Sequence, residues 1–181
     1  QQIKIARGEI LEFTQEDLSI NGHALELRVY AEDPLENFLP STGTLHTYKR
    51  PNGPGIRLDD GFEEGMEVPI YYDPMLSKLI TYGKNREETI QLMIEAIDQY
   101  KIEGVATTLP FGKFVCEHEA FISGNFDTGF VKKYYSPEQL GKQCAEERRI
   151  AALVGLKLYL ENKKLVKTPT EISSDWWNKR S

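Results

Sequence analysis

The sequence predicts an α+β fold, a mostly antiparallel sheet covered by helices, with a C-terminal helix and a loose tail. Three observations lead there. Residues 22–82 hold short apolar runs punctuated by turn residues, with no helical segment between them. Residues 86–100 then take up helical spacing. From Lys163 onward the chain turns polar and loses periodicity.

The elements follow in order. Ile3 and Ile5 alternate with Gln2 and Lys4 ahead of Gly8, which reads as the end of a helix whose beginning lies upstream. The chain has no initiator Met, and we expect it to be cut from a longer protein. Residues 9–20 read as a connector in which Thr14 and Asp17 form a short capping box. From Gly22 to Ala31 the chain alternates, with His23, Leu25, Leu27 and Val29 on one face and Ala24, Glu26, Arg28 and Tyr30 on the other. Further strands are expected at Leu45–Lys49, Ile56–Leu58, Val68–Tyr72, Leu79–Tyr82 and Ile102–Ala106, separated by Gly/Pro-rich turns such as Pro51–Gly55. Ile90, Met93, Ile94 and Ile97 mark a helix capped by Asn85 and Glu88. Thr108-Leu109-Pro110 starts another, and Asp127 or Thr128 caps a turn through Tyr135. Ser136-Pro137-Glu138 starts a long helix expected to end near Asn162. The predicted division is residues 1–135 as the main domain and 136–181 as helix and tail.

Composition excludes several functions. The net charge of −6 and the absence of a basic stripe argue against nucleic acid and against an anionic membrane surface. No apolar run reaches the roughly 20 residues that a membrane span needs. Cys116 and Cys144 lie far apart and form no zinc spacing, so reduced thiols in a cytoplasmic protein are expected. His23, His46 and His118 make no metal signature, and Asp59, Asp60, Glu63, Glu64 and Glu67 lack calcium-loop spacing.

Few residues suggest chemistry on their own. Arg28 projects from a strand and suits an anion, or it pairs with Glu26 or Glu32. Asp73, ahead of Pro74, accepts backbone N–H groups or an Arg, or stabilises a turn. Trp176 and Trp177 either anchor a partner or fold back onto the domain.

Several blocks occur in one fixed order: Asn21 to Pro34 ending in Ala31-Glu32-Asp33-Pro34, then Phe38–Gly43, Gly53–Arg57, Asp60-Gly61, Glu64-Gly65, Tyr71–Met75, Lys78–Gly83 and Gly104-Val105. Over roughly residues 1–135 this set resembles the C-terminal domain of biotin carboxylases. The stretch Ile70–Gly83 looks most like the α-subunits of propionyl-CoA and related acyl-CoA carboxylases, with pyruvate carboxylase less similar. The resemblance implies a ligase that uses ATP and bicarbonate to carboxylate N1′ of biotin on a separate carrier domain. It implies that ATP and Mg²⁺ bind mainly to an ATP-grasp region preceding this lobe, so that the lobe alone is inactive. Arg28 matches the family arginine that contacts the biotin ureido oxygen. Asp73 matches an aspartate near the site, and together with Glu26 it is expected to support it. Gly129 and Phe130 fall where the family chain passes the adenine pocket. Arg57 matches an arginine of a dimer interface, although Pro54 replaces an aromatic residue there. The implied partners are the ATP-grasp and N-terminal regions of the same polypeptide, the biotin carrier domain, the carboxyltransferase component and a second copy of the chain. The alternative reading is a non-catalytic module that builds subunit contacts.

Overall fold

The structure, a computed structural model, describes residues 1–165. Lys167, Trp176 and Trp177, and the side chains of Cys144, Lys163 and Lys164, lie outside the described residues. The chain divides into two compact units, Gln1–Pro137 and a second beginning at Glu138.

The first unit opens with helix α1 (Gln2–Ala6), which buries none of its residues. A connector follows in which the Asp17 carboxylate accepts both the N–H (2.8 Å) and the hydroxyl (3.0 Å) of Thr14. Strand β1 (His23–Tyr30) alternates as its sequence dictates, with Val29 wholly buried and Arg28 exposed. Next come β2 (Glu32–Asp33), β3 (Leu39–Pro40), β4 (Gly43–Thr44), β5 (Thr47–Lys49), β6 (Ile56–Asp60), β7 (Glu67–Val68) and β8 (Met75–Gly83). Helix α2 (Arg86–Gln99), β9 (Lys101–Glu103), α3 (Leu109–Glu117), α4 (Glu119–Ser123) and α5 (Phe130–Tyr134) complete the unit. The described part of the second unit is the 29-residue helix α6 (Pro137–Leu165), whose first residue closes the first unit.

Among the described residues all the pairing is antiparallel, but it is not one sheet. A three-stranded sheet of order β1–β8–β6 is joined by three two-stranded pairs, β2–β3, β4–β7 and β5–β9. The expected strand at 68–72 shrinks to Glu67–Val68, because Pro69 cannot donate to a ladder and Ile70, Tyr71 and Tyr72 turn outward into solvent. The strand expected at 79–82 instead begins four residues earlier, at Met75.

Helix α2 covers one face of the three-stranded sheet. Thr89, Ile90, Met93, Ala96 and Ile97 are its buried residues, and its apolar members meet Val29, Leu76 and Leu79 in a single core cluster. Burying each such large aliphatic side chain stabilises the fold by roughly 1.5–3 kcal/mol. The helix starts where expected: the Asn85 side chain accepts the Glu88 N–H at 2.9 Å. Helix α3 rests on the Leu27 side chain of β1: a Cβ on Gly112 would stand 2.6 Å from Leu27 Cδ2, so a larger residue there would force that side chain to move.

Polar groups inside the core are paired. The Tyr100 hydroxyl donates to the Tyr48 hydroxyl at 2.6 Å and lies 3.0 Å from Ser77 Oγ, joining the β5–β9 pair to β8. Burial, first of all, pushes both phenols upward from their ordinary pKa, so they stay neutral donors. Replacing Tyr100 by Phe leaves the Tyr48 and Ser77 hydroxyls short of a partner. We expect Tyr100→Phe to lower unfolding free energy by about 1–3 kcal/mol. Urea denaturation measures this, and an unchanged midpoint would show that the network adds nothing.

Candidate functional site

The face of the sheet turned away from α2 carries the candidate residues. Cα partners across an antiparallel ladder share a face, so register alone defines the set. Glu26 lies opposite Ile80, and Ile80 opposite Arg57. One pair along, Arg28 lies opposite Lys78, and Lys78 opposite Asp59. The result is a charged belt of Glu26, Arg28, Lys78, Asp59 and Arg57 across three strands. An open depression of about 620 Å³ runs beside it, lined in part by Asp59, Asp60, Met75 and Lys78.

Each predicted residue has a definite place. The Arg28 side chain is 60% exposed, and its Nε donates to Glu26 Oε1 at 3.3 Å. Of the two pairings open from the sequence, the structure makes the one with Glu26. Tyr30, first, and then Glu26 raise the guanidinium pKa further, so Arg28 is a permanent cation. An exposed pair of this kind contributes little to stability, which leaves the cation available for another anion. Arg57 makes a bidentate pair with Asp59, both contacts at 2.8 Å, and stays mostly exposed. The hydrogen bonds from Arg57 hold the Asp59 carboxyl below the usual range, with the charges of Arg57 and Lys78 adding to the effect. Pro54 is exposed two residues before β6.

Asp73 sits in the turn leading into β8. Its Oδ1 accepts the Met75 N–H at 2.9 Å, which is the turn-stabilising role the sequence allowed. Gly129 donates its N–H to Asp127 Oδ1 at 2.8 Å and caps α5. Phe130 is buried, with its ring 5.1 Å from both His118 and Tyr134, so its side chain belongs to the aromatic packing under α5. The structure thus brings Glu26, Arg28 and Arg57 onto one face and keeps Phe130 inside the fold.

Two residues on or behind this face escape a reading from sequence. Lys78 sits beside Arg28 only because of the β1–β8 register. Thr108 reads as a helix cap, yet the helix makes no use of its side chain. Among the described residues no three His, Cys, Asp or Glu side chains converge on a point where a metal ion would fit. No described helix is long and apolar enough to cross a membrane.

The half-buried Glu32 titrates above the ordinary Glu range, chiefly because burial disfavours its charge and then because Asp73 is near. A carboxyl with a raised folded-state pKa holds its proton more tightly in the fold. It therefore favours the fold below its unfolded pKa, and that contribution is lost as pH rises through the folded value. Glu32→Gln should accordingly become more stable relative to the parent on going from about pH 4 to about pH 7. Urea midpoints at the two pH values test this, and parallel pH profiles would exclude the effect.

Comparison with known proteins places the chain. Residues 26–133, more than half of it, match the family described as the biotin carboxylase C-terminal domain. A pyruvate carboxylase component from Methanothermobacter thermautotrophicus is 46% identical over 134 residues, covering 74% of this chain and 27% of that protein. The mitochondrial propionyl-CoA carboxylase alpha chain of Sus scrofa is 42% identical over 151 residues, covering 82% of this chain and 21% of that one. The biotin carboxylase domain dimer of Hydrogenobacter thermophilus 2-oxoglutarate carboxylase, solved with MgADP, ADP and bicarbonate, superimposes with a TM-score of 0.70 at 38% identity, covering 74% of this chain and 29% of that one. Identity over these spans does not separate the propionyl-CoA carboxylase relative from the pyruvate carboxylase one. This chain spans less than a third of each of these proteins. It belongs to the biotin carboxylase C-terminal domain family.

Proposed function

We propose that this lobe completes the active site of an ATP-dependent biotin carboxylase within an acyl-CoA carboxylase, and that it is inactive alone. One observation carries the reading: a permanent cation, Arg28, held by a rigid strand on an exposed face of a domain of this family. When bound, biotin supplies a ureido ring whose oxygen gains negative charge as N1′ loses its proton. Arg28 meets that charge, and a preorganised donor of this kind lowers a barrier by roughly 3–4 kcal/mol. Glu26 orients the guanidinium through the 3.3 Å contact, and Asp73 supports the site by shaping the turn into β8. ATP and Mg²⁺ are assigned to an ATP-grasp region of the same polypeptide, with the backbone at Gly129 and Phe130 passing near the nucleotide. The biotin carrier domain, the carboxyltransferase component and a second copy, meeting Arg57 and Pro54, are the proposed partners. The free, buried Cys116 suits the cytoplasm.

The acyl-CoA assignment draws its support from the resemblance of Ile70–Gly83 to the α-subunits of acyl-CoA carboxylases, since coverage of this chain, 75–84% by propionyl-CoA carboxylase alpha chains and 74–77% by pyruvate carboxylases, does not separate the two. In the full-length protein, Arg28→Ala should slow carboxylation of free biotin by about 10²–10³-fold while the fold stays intact. Steady-state kinetics with a thermal-unfolding control measure this, and turnover near that of the parent would refute the role.

A second reading, assembly of the complex, is favoured by α6. Ile150, Leu153, Val154, Leu156, Leu158 and Leu160 all stand about half exposed along it, an apolar surface that suits a protein partner. On this reading Leu153→Asp in the full-length protein abolishes co-elution with the carboxyltransferase component and spares carboxylation of free biotin. Unchanged co-elution would dismiss it.

A further inference from the structure

We infer that Thr108 is a positioning residue for Arg28: its hydroxyl fixes the end of β1 and so sets where the guanidinium stands. The inference rests on the role proposed for Arg28.

β1 is an edge strand. Among the described residues it pairs with β8 on one side only, and along an antiparallel strand the N–H and C=O of one residue point to the same side. The backbone groups of Arg28 and Tyr30 face the open side, where no strand lies. Thr108 meets them there. Its hydroxyl accepts the Tyr30 N–H at 3.0 Å and donates to the Arg28 carbonyl at 3.3 Å. Its own N–H donates to the Tyr30 carbonyl at 3.1 Å. One residue thus replaces a missing strand across residues 28–30.

Two features make this more than incidental packing. Thr108 is the N-cap of α3, a position where a threonine hydroxyl ordinarily accepts an N–H of the first helical turn. Here it makes no such bond, because the hydroxyl is given to β1. It is also 5% exposed, so water cannot replace it. One helical turn later, Gly112 leaves room for the Leu27 side chain of β1 against α3. The clamp acts where β1 most needs it. Val29 lies opposite Ser77 and Tyr30 opposite Met75, so β8 carries an extra residue, Leu76, and the ladder is irregular directly after Val29. The next residue is held as well: the Ala31 N–H donates to the Pro74 carbonyl at 2.8 Å. Without the Thr108 hydroxyl, the Arg28 carbonyl and the Tyr30 N–H lose their outer partner while the Tyr30 carbonyl keeps the Thr108 N–H, and the guanidinium carried by the loosened segment moves with it. A displacement of about 1 Å in a positioning group costs up to about 10²-fold in rate.

The test uses the full-length protein with free biotin. Thr108→Val, which keeps the shape and removes the hydroxyl, should lower kcat about tenfold and leave the KM for ATP unchanged. Thr108→Ser should restore turnover. Thr108→Val combined with Arg28→Ala should be no slower than Arg28→Ala alone, because both remove one interaction, whereas independent damage would multiply. Hydrogen exchange in the unaltered protein supplies a readout that needs no variant: the Tyr30 amide should exchange slowly. Parental turnover in Thr108→Val, multiplicative losses in the double variant, or rapid exchange at Tyr30 would each overturn the inference. If Arg28→Ala itself keeps parental turnover, the fault lies with the role given to Arg28.

Discussion

The register between β1 and β8 is the constraint on which the rest of the structure depends. With Leu27 opposite Leu79 and Arg28 opposite Lys78, apolar residues of both strands face α2 and charged residues face outward. Because strand side chains alternate with a period of two, slipping the pairing by one residue would turn Val29 and Leu27 to solvent and drive Arg28 into the core. Each large apolar side chain lost to solvent costs roughly 1.5–3 kcal/mol, and an unpaired charge in the core costs far more. The hydrophobic effect therefore decides which way the arginine points, before any ligand is considered. The same register sets a second cation, Lys78, next to it, an arrangement that is unfavourable in isolation and that Glu26 and Asp59 offset from either side.

Patterns local in sequence are the legible part. The alternation of residues 23–30, the helical spacing of Ile90, Met93, Ile94 and Ile97, the Asn85 cap and the capping box of Thr14 and Asp17 all appear in the structure as read. Each is set by residues within a few positions of one another, so the chain itself carries the information. The misses are long-range. Composition and turn spacing suggest a single sheet, but the short strands combine into one three-stranded sheet and three pairs, and nothing local says which strand meets which. Tyr71 and Tyr72 look like strand residues from propensity, yet Pro69 and the Asp73-Pro74 turn end the pairing on either side of them.

The site is legible in kind and not in detail. Arg28, Glu26 and Arg57 share a face, which alternation predicts for the first two and only register reveals for the third. Phe38 illustrates a different limit. It adopts φ of 60°, next to Asn37 at 52°, a left-handed pair that propensity does not anticipate for a bulky residue. Its ring lies 5.1 Å from Phe111 and 5.5 Å from Tyr135, and these contacts, made 73 residues and more away in sequence, hold the backbone in that conformation. Thr108 escapes for the same reason: its place before Leu109-Pro110 speaks of a helix start, while its hydroxyl answers to a strand 78 residues earlier.

On the role proposed for Arg28, its exposure explains how a lobe would hold one geometric element of a site and be inactive by itself. At 60% exposure the guanidinium is well hydrated, and water screens its attraction for a nearby anion. The same pair in a water-poor setting is worth about four times as much at an effective dielectric constant of 20. Keeping the cation on an open face costs the isolated fold nothing in desolvation, so folding does not oppose it. On that role, the catalytic value of Arg28 appears only when another surface closes over the belt and excludes water, and the anion that forms beneath it then offsets that desolvation. Strand register and the backbone contacts of β1 supply direction, and closure supplies strength. Of the two, the described residues of this chain set the direction.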